Sequence, residues 1–219
     1  MKSAIFDLDG VIVDTAKFHY LAWKEIAQKF NYKLTQVQNE KLKGISRKDS
    51  LSLLLKWSGN NLSNNEFNNL LADKNDLYLD QIKNLTKKDS LPGINKTLNY
   101  LKKAGIKIAL GSASKNSKIV LKKLSLINFF DVIIDGNDVL NSKPNPEVFI
   151  KGAQALGVPC CDCIVFEDSI AGVKAAKAAM MDAIGICNLK QNLKPTIFNI
   201  KSFLAIEPNN LLKYFMKNE

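Results

Sequence analysis

Five short apolar runs constrain this chain more than anything else in it: Ala4–Phe6, Ile106–Leu110, Val132–Ile134, Cys163–Phe166 and Ala183–Ile186. Runs this short cannot be assigned by periodicity alone. Their alternation with longer amphipathic stretches near residues 94–104, 116–125, 146–156 and 169–180 assigns them as strands. That order predicts a mostly parallel sheet with helices on both faces, a doubly wound, Rossmann-like α/β fold.

One interval breaks the alternation. From about residue 15 to 88 the pattern is helical, with no convincing strand. Thr15 is placed to cap a helix carrying Phe18, Leu21, Trp23 and Ile26. Ser46 with Asp49 reads as the start of a helix that stops at Gly59, and Ser63 with Glu66 as a capping box. The chain is therefore expected to hold a core domain, residues 1–14 and 89–219, and a helical cap domain, residues 15–88, inserted after the first strand. The crossings between the two fall near residues 14–16 and 86–91.

Composition excludes several classes. A chain of 219 residues with 46% apolar content can bury a sizeable core. The start reaches Asp7 too soon for a signal-peptide core. No apolar run approaches the roughly 18 residues of a membrane span, so a cytoplasmic protein with no membrane partner is expected. Cys160, Cys161 and Cys163 cluster, but the only histidine, His19, is far away and no second cysteine pair completes a zinc set. With Cys187 they read as reduced thiols. The net charge of +10 invites a nucleic-acid reading, yet the lysines come singly or in pairs and no such motif is visible. No nucleic-acid partner is expected, and the chain is expected to act as a monomer.

The polar residues fall where an α/β sheet binds ligands. Asp7 and Asp9 follow the first run, Ser112 follows Ile108–Gly111, and Glu167 and Asp168 follow Ile164–Phe166. Each group sits at the carboxyl end of an expected parallel strand, the edge where such sheets hold their ligands. Lys143, before Pro144, lies in the loop after Val132–Ile134 and can join them. Carboxylates with few nitrogen or sulfur ligands suit a hard cation such as Mg²⁺. A lysine and a serine suit phosphate, a carboxylate can act as nucleophile, and a second one two residues on can act as acid and base.

These residues stand in a recognisable pattern. Phe6-Asp7-Leu8-Asp9-Gly10-Val11 with Asp14-Thr15, then Ser112-Ala113-Ser114, Lys143-Pro144 and Glu167-Asp168-Ser169 with Gly172 resemble, in order, the four motifs of the haloacid dehalogenase superfamily. Finer features resemble its hexose-phosphate mutases: Thr15-Ala16 with His19 and Ala22-Trp23-Lys24, the loop Leu42-Lys43-Gly44-Ile45-Ser46-Arg47 with Asp49-Ser50-Leu51, Lys74-Asn75-Asp76 with Tyr78, and Ser112-Ala113-Ser114-Lys115-Asn116. Met180 stands where that superfamily usually carries glycine, and the tail beyond Asn188, with its lysine-rich helix-like stretch Asn210–Lys217, departs from the pattern.

The resemblance implies roles. Asp7 is the nucleophile and a Mg²⁺ ligand, and Asp9 is the acid and base, with its backbone carbonyl on the metal. Glu167 and Asp168 complete the metal's protein ligands. Ser112, Ala113 and Lys143 hold the transferring phosphate. Arg47 clamps the other phosphate from the cap, with Lys115 and Asn116 reaching it or the sugar from the core. Lys43, Gly44, Ile45 and Ser50 shape the sugar pocket, which Thr15 and Trp23 adjoin, and His19 with Lys74 couples cap closure to Asp9. The expected substrates are glucose 1-phosphate, glucose 6-phosphate and glucose 1,6-bisphosphate. The alternative is a Mg²⁺-dependent sugar-phosphate phosphatase of the same superfamily, in which water rather than a sugar hydroxyl attacks the phosphorylated Asp7. Without the resemblance, Asp7 and Asp9 read as an Asx turn, Glu167 and Asp168 as helix-start acids, Trp23 and Trp57 as packing residues and Arg47 as a solvated cap residue.

Overall fold

The computed structural model describes residues 2–187 and 193–216. Its sheet has six parallel strands in the order β3-β2-β1-β4-β5-β6. These are β1 (Ser3–Phe6), β2 (Ile108–Gly111), β3 (Val132–Ile134), β4 (Cys163–Glu167), β5 (Asp182–Ile186) and β6 (Phe198–Ile200). All five expected strands form. β6 has no counterpart in the sequence reading: Phe198-Asn199-Ile200 is too short and too polar to stand out, and pairing with β5 defines it.

Side chains alternate across the sheet with period two. Ala4, Phe6, Ile108, Leu110, Ile164 and Phe166 enter one apolar layer, while Ile5, Ala109, Cys163 and Val165 enter the other. Helices cover both layers: α5 (Ile94–Lys103), α6 (Ser117–Lys123), α7 (Glu147–Leu156), α8 (Ile170–Ala178) and α9 (Pro208–Leu212). Phe6 stacks on Phe166 with ring centroids 4.4 Å apart, and Phe203 and Phe215 close over the pair. Burying rings of this size is worth about 1.5–3 kcal/mol each.

Between β1 and α5 lie α1 (Ala16–Gln28), α2 (Gln36–Glu40), α3 (Arg47–Ser58) and α4 (Asn64–Gln81). Ser63 and Glu66 form the capping box of α4. Ser46 caps α3 by accepting from the Asp49 amide, and Gly59 ends it in the left-handed region at φ 69°. Thr35 with Gln38 forms a further capping box that opens α2. Trp23, Ile26, Leu34, Leu51 and Leu54 give these helices an apolar cluster of their own. The two stretches joining them to the sheet run side by side: Val13 bridges to Ser90, and the Leu91 amide donates to the Ile12 carbonyl at 2.8 Å.

Two details differ from the sequence reading, at Thr15 and in the tail, and one, at Met180, accounts for it. Thr15 stands at the start of α1 but makes no capping hydrogen bond; its hydroxyl donates to Asp9. Met180 takes φ 58° after α8, the left-handed position that glycine occupies without strain. In the tail, helix α9 starts earlier than expected and ends at Leu212; Asn188 and Lys217 lie outside the described residues. Among the described residues no helix is long and apolar enough to cross a membrane.

Candidate active site

The strand order reverses at β1 and β4, and the carboxyl edge there is where doubly wound sheets bind ligands. Asp7 follows β1 directly and Glu167 ends β4. Parallel register places Phe6 beside Phe166, so the residues just beyond them meet. Asp7, Glu167 and Asp168 offer carboxylate oxygens that all lie within 4.8 Å of one another.

Lys143 sits between them. Its ammonium is fully buried and donates to Asp7 Oδ1 at 2.7 Å and to Glu167 Oε1 at 2.5 Å. Burial alone lowers a lysine's pKa, but the two carboxylates outweigh it and hold Lys143 above its ordinary value. The other oxygen of Glu167 accepts from the amide and hydroxyl of Ser169, each at 2.9 Å. That hydroxyl in turn caps α8 by accepting from the Gly172 amide at 3.0 Å. A Cβ at Gly172 would stand 1.8 Å from Glu167 Oε1, so glycine is what lets the carboxylate lie against the helix. Gly10, at φ 79°, similarly makes room for Asp168.

Crowding of like charges in a buried place disfavours ionisation. Burial, offset in part by Lys143 and reinforced by Glu167 and Asp9, pushes Asp7 up to about 7. Burial, Glu167 and Asp7 push Asp168 well above the carboxylate range, with Lys43 at 3.9 Å opposing. Asp9 behaves differently. Burial raises it, but His19, Thr15 and Lys74 outweigh burial and bring it below its ordinary value.

The side chain of Asp9 turns from the acidic cluster toward the helices. Thr15 donates to Asp9 Oδ1, and His19 Nε2 stands 3.6 Å from the same oxygen, too far for a formed hydrogen bond. His19 Nδ1 meets Lys74 Nζ at 2.7 Å, and Tyr78 stacks beneath the imidazole at 4.1 Å. Lys74 is 2% exposed, and burial with the nearby Arg47 charge lowers it to about 7.

A cavity of about 300 Å³ opens onto this edge. Asp7, Asp9 and Asp168 line it together with Ala113, Lys115 and Asn116 from the loop after β2. From the helices come His19, Trp23, Arg47, Ser50 and Lys74, and from the loop between α2 and α3 come Lys43, Gly44 and Ile45. Four expected site residues do not line it. Thr15, Ser112, Lys143 and Glu167 are buried behind the wall, where Ser112 Oγ accepts from the Ser114 amide at 3.1 Å. Ser46 and Ser114, quoted in the motifs without a site role, also line the cavity, as do Lys48, Leu71 and Leu140, which were not singled out. Lys48 adjoins residues that were, whereas Leu140 is an exposed loop residue with no chemical signal.

Comparison with known proteins agrees with this geometry. Residues 4–186 match the haloacid dehalogenase-like hydrolase family. A β-phosphoglucomutase of Bacillus subtilis is 43% identical over 188 residues, 85% of this chain and 83% of that protein. A phosphorylated carbohydrates phosphatase of Thermotoga maritima is 29% identical, with 84% of each chain covered. The crystal structure of β-phosphoglucomutase from Clostridium difficile superposes with a TM-score of 0.93 at 38% identity, covering 98% of this chain and 97% of that one. With the four motifs gathered on one sheet edge and the match running through all of them, this chain belongs to the haloacid dehalogenase-like hydrolase family.

Proposed function

We propose that this chain interconverts β-D-glucose 1-phosphate and glucose 6-phosphate through a phosphorylated Asp7 and a glucose 1,6-bisphosphate intermediate. The observation that carries the reading is that one cavity is lined both by carboxylates of the sheet edge and by Arg47, Lys115 and Asn116, which supports two places for phosphate. One is Asp7, with its acidic neighbours and with Lys143 behind them. The other is Arg47, with Lys115 and Asn116. A mutase needs both, since its intermediate carries two phosphates. The likeness to mutases of two bacteria supports the same reading. The second reading, a sugar-phosphate phosphatase, is favoured by the Thermotoga relative and would use the same Asp7 chemistry.

The acidic cluster fits Mg²⁺. Its three carboxylates are hard oxygen donors, and the raised pKa values of Asp7 and Asp168 mark excess negative charge that a dication would relieve. Asp7, Glu167 and Asp168 would hold the ion, with the Asp9 carbonyl as a fourth ligand. When bound, it supplies neutralisation of the transferring phosphoryl group.

The chain's own residues do the rest. An oxygen of Asp7 attacks phosphorus of the bisphosphate while the bond to the sugar oxygen breaks, and Asp9 gives that oxygen its proton. In the reverse sense Asp9 takes the proton of a sugar hydroxyl as it attacks the aspartyl-phosphate. Thr15 and His19 hold Asp9 ionised at rest, the form that accepts the proton. Ser112, the Ala113 amide and Lys143 steady the phosphoryl group in line. Arg47 holds the remote phosphate, since a guanidinium fork matches its oxygens. Residues 15–88 act as a cap over the core of 1–14 and 89–219, and its closure excludes water.

The test supplies β-glucose 1-phosphate, Mg²⁺ and a trace of glucose 1,6-bisphosphate, and measures glucose 6-phosphate and free phosphate together. Glucose 6-phosphate in large excess is the expected outcome. Free phosphate as the main product would favour the phosphatase. Asp7→Asn should lower turnover by at least about a thousandfold while the circular dichroism is unchanged.

A further inference from the structure

Helix α4 carries one stripe, Leu71, Lys74, Asn75 and Tyr78, spaced as neighbours on one helix face, of which Leu71 and Lys74 line the cavity. Such a stripe is ordinarily apolar. Here Lys74 and Asn75 interrupt it, and the Asn75 side-chain oxygen accepts two hydrogen bonds. One comes from Arg47 Nη2 at 2.7 Å, across the helical segment. The other comes from Asn116 Nδ2 at 2.9 Å, from the loop after β2. A carboxamide oxygen has two lone pairs, and both are used.

Each donor gives up something to make this contact. Asn116 is the residue before α6, where asparagine ordinarily caps with its side chain; it makes no capping bond. Arg47 is the first residue of α3, where the helix dipole disfavours a cation. The Leu71 carbonyl accepts from Nη1 at 3.3 Å and completes the hold on the guanidinium. Arg47 has five N–H groups, of which these contacts use two, and Asn116 Nδ2 keeps one free N–H. The remaining donors stay available to a phosphate.

We propose that Asn75 is a positioning residue that ties Arg47 to Asn116 across the cavity, so that the remote phosphate of the sugar meets a fork already assembled from both sides. The inference rests on the sugar-phosphate reading above. Pre-assembly spares the ordering of a long side chain on binding. It also links the helices to the sheet edge, so losing it lets water reach the phosphorylated Asp7.

The experiment compares the wild type with Asn75→Ala, a substitution that a helix tolerates. Three quantities are read: the KM for glucose 1,6-bisphosphate, the ratio of free phosphate to glucose 6-phosphate, and the rate at which acetyl phosphate, which has no second phosphate, phosphorylates Asp7. In Asn75→Ala the KM should rise about tenfold, as for loss of a hydrogen bond to a charged group. The phosphate ratio should rise with it, and the acetyl phosphate rate should stay unchanged. Because Asn75 acts through its two partners, adding Asn75→Ala to Arg47→Ala should raise the KM further by much less than tenfold. An unchanged KM and ratio, or an equal loss with acetyl phosphate, would overturn the inference. A wild type that mainly releases phosphate would count against the mutase reading alone. The inference would then be judged on the KM for the sugar phosphate, where no change in Asn75→Ala overturns it.

Discussion

At the scale of single residues, the site is organised by charge that burial makes unfavourable. Asp7 is pushed up to about 7 by burial, and the proton it then retains competes with a metal for the same oxygen. Mg²⁺ affinity should therefore fall as pH drops below about 7, with protons released on binding by Asp7 and by Asp168, whose carboxyl is also held well above the ordinary range. Titration calorimetry in buffers of different ionisation enthalpy measures both; affinity flat between pH 5 and 8 would remove Asp7 from the metal's ligands. Gly172 gives a second handle. A methyl group there meets Glu167 Oε1 at 1.8 Å. Gly172→Ala should displace the carboxylate and weaken Mg²⁺ binding about 10–100-fold, the scale of a lost supporting contact, with the protein still folded.

At the scale of elements, α4 shows a helix shaped for the site at the expense of stability. Lys74 occupies a position that packing would give to an apolar side chain, between Trp23 and Tyr78. Its pKa of about 7 in the folded chain lies below the ordinary 10.5. Between those values the unfolded chain binds the extra proton, so stability rises with pH across that window and the cost is fully present below about pH 7. Lys74→Met should raise the melting temperature at pH 7 by several degrees and flatten its rise toward alkaline pH. It should also lower turnover, because His19 loses the partner on Nδ1. A melting temperature below that of the wild type would show that Lys74 stabilises the fold.

For the whole molecule, the tail after β5 is part of the core. Phe203, Leu211 and Phe215 are all at most 3% exposed and lie in the layer that holds Phe6 and Phe166. A chain ending at Cys187 would expose that layer along with the edge of β5 left by β6. Its loss of several buried side chains, at about 1.5–3 kcal/mol each, is comparable to the whole stability of a domain. Such a chain should show no cooperative thermal transition, and a sharp one near that of the full chain would refute this account of the tail.

Much of this was legible in the residues themselves. Strand runs bounded by Asp7, Ser112 and Glu167 declare both the sheet and its ligand edge, because burial in a parallel sheet demands unbroken apolar residues and chemistry demands that they stop. The helix starts at Ser46 and Ser63 were legible because capping is a local matter of one side chain and one amide. What crosses the chain was not. Asn75 shows nothing in sequence that marks it as the meeting point of Arg47 and Asn116, and Thr15 reads as a cap although its hydroxyl goes to Asp9. β6 exists only because β5 offers it an edge. Local patterns of polarity determined the elements and the chemistry at their ends; only the tertiary structure decided which side chains share one hydrogen-bond partner, because that depends on distances between residues that no local pattern encodes.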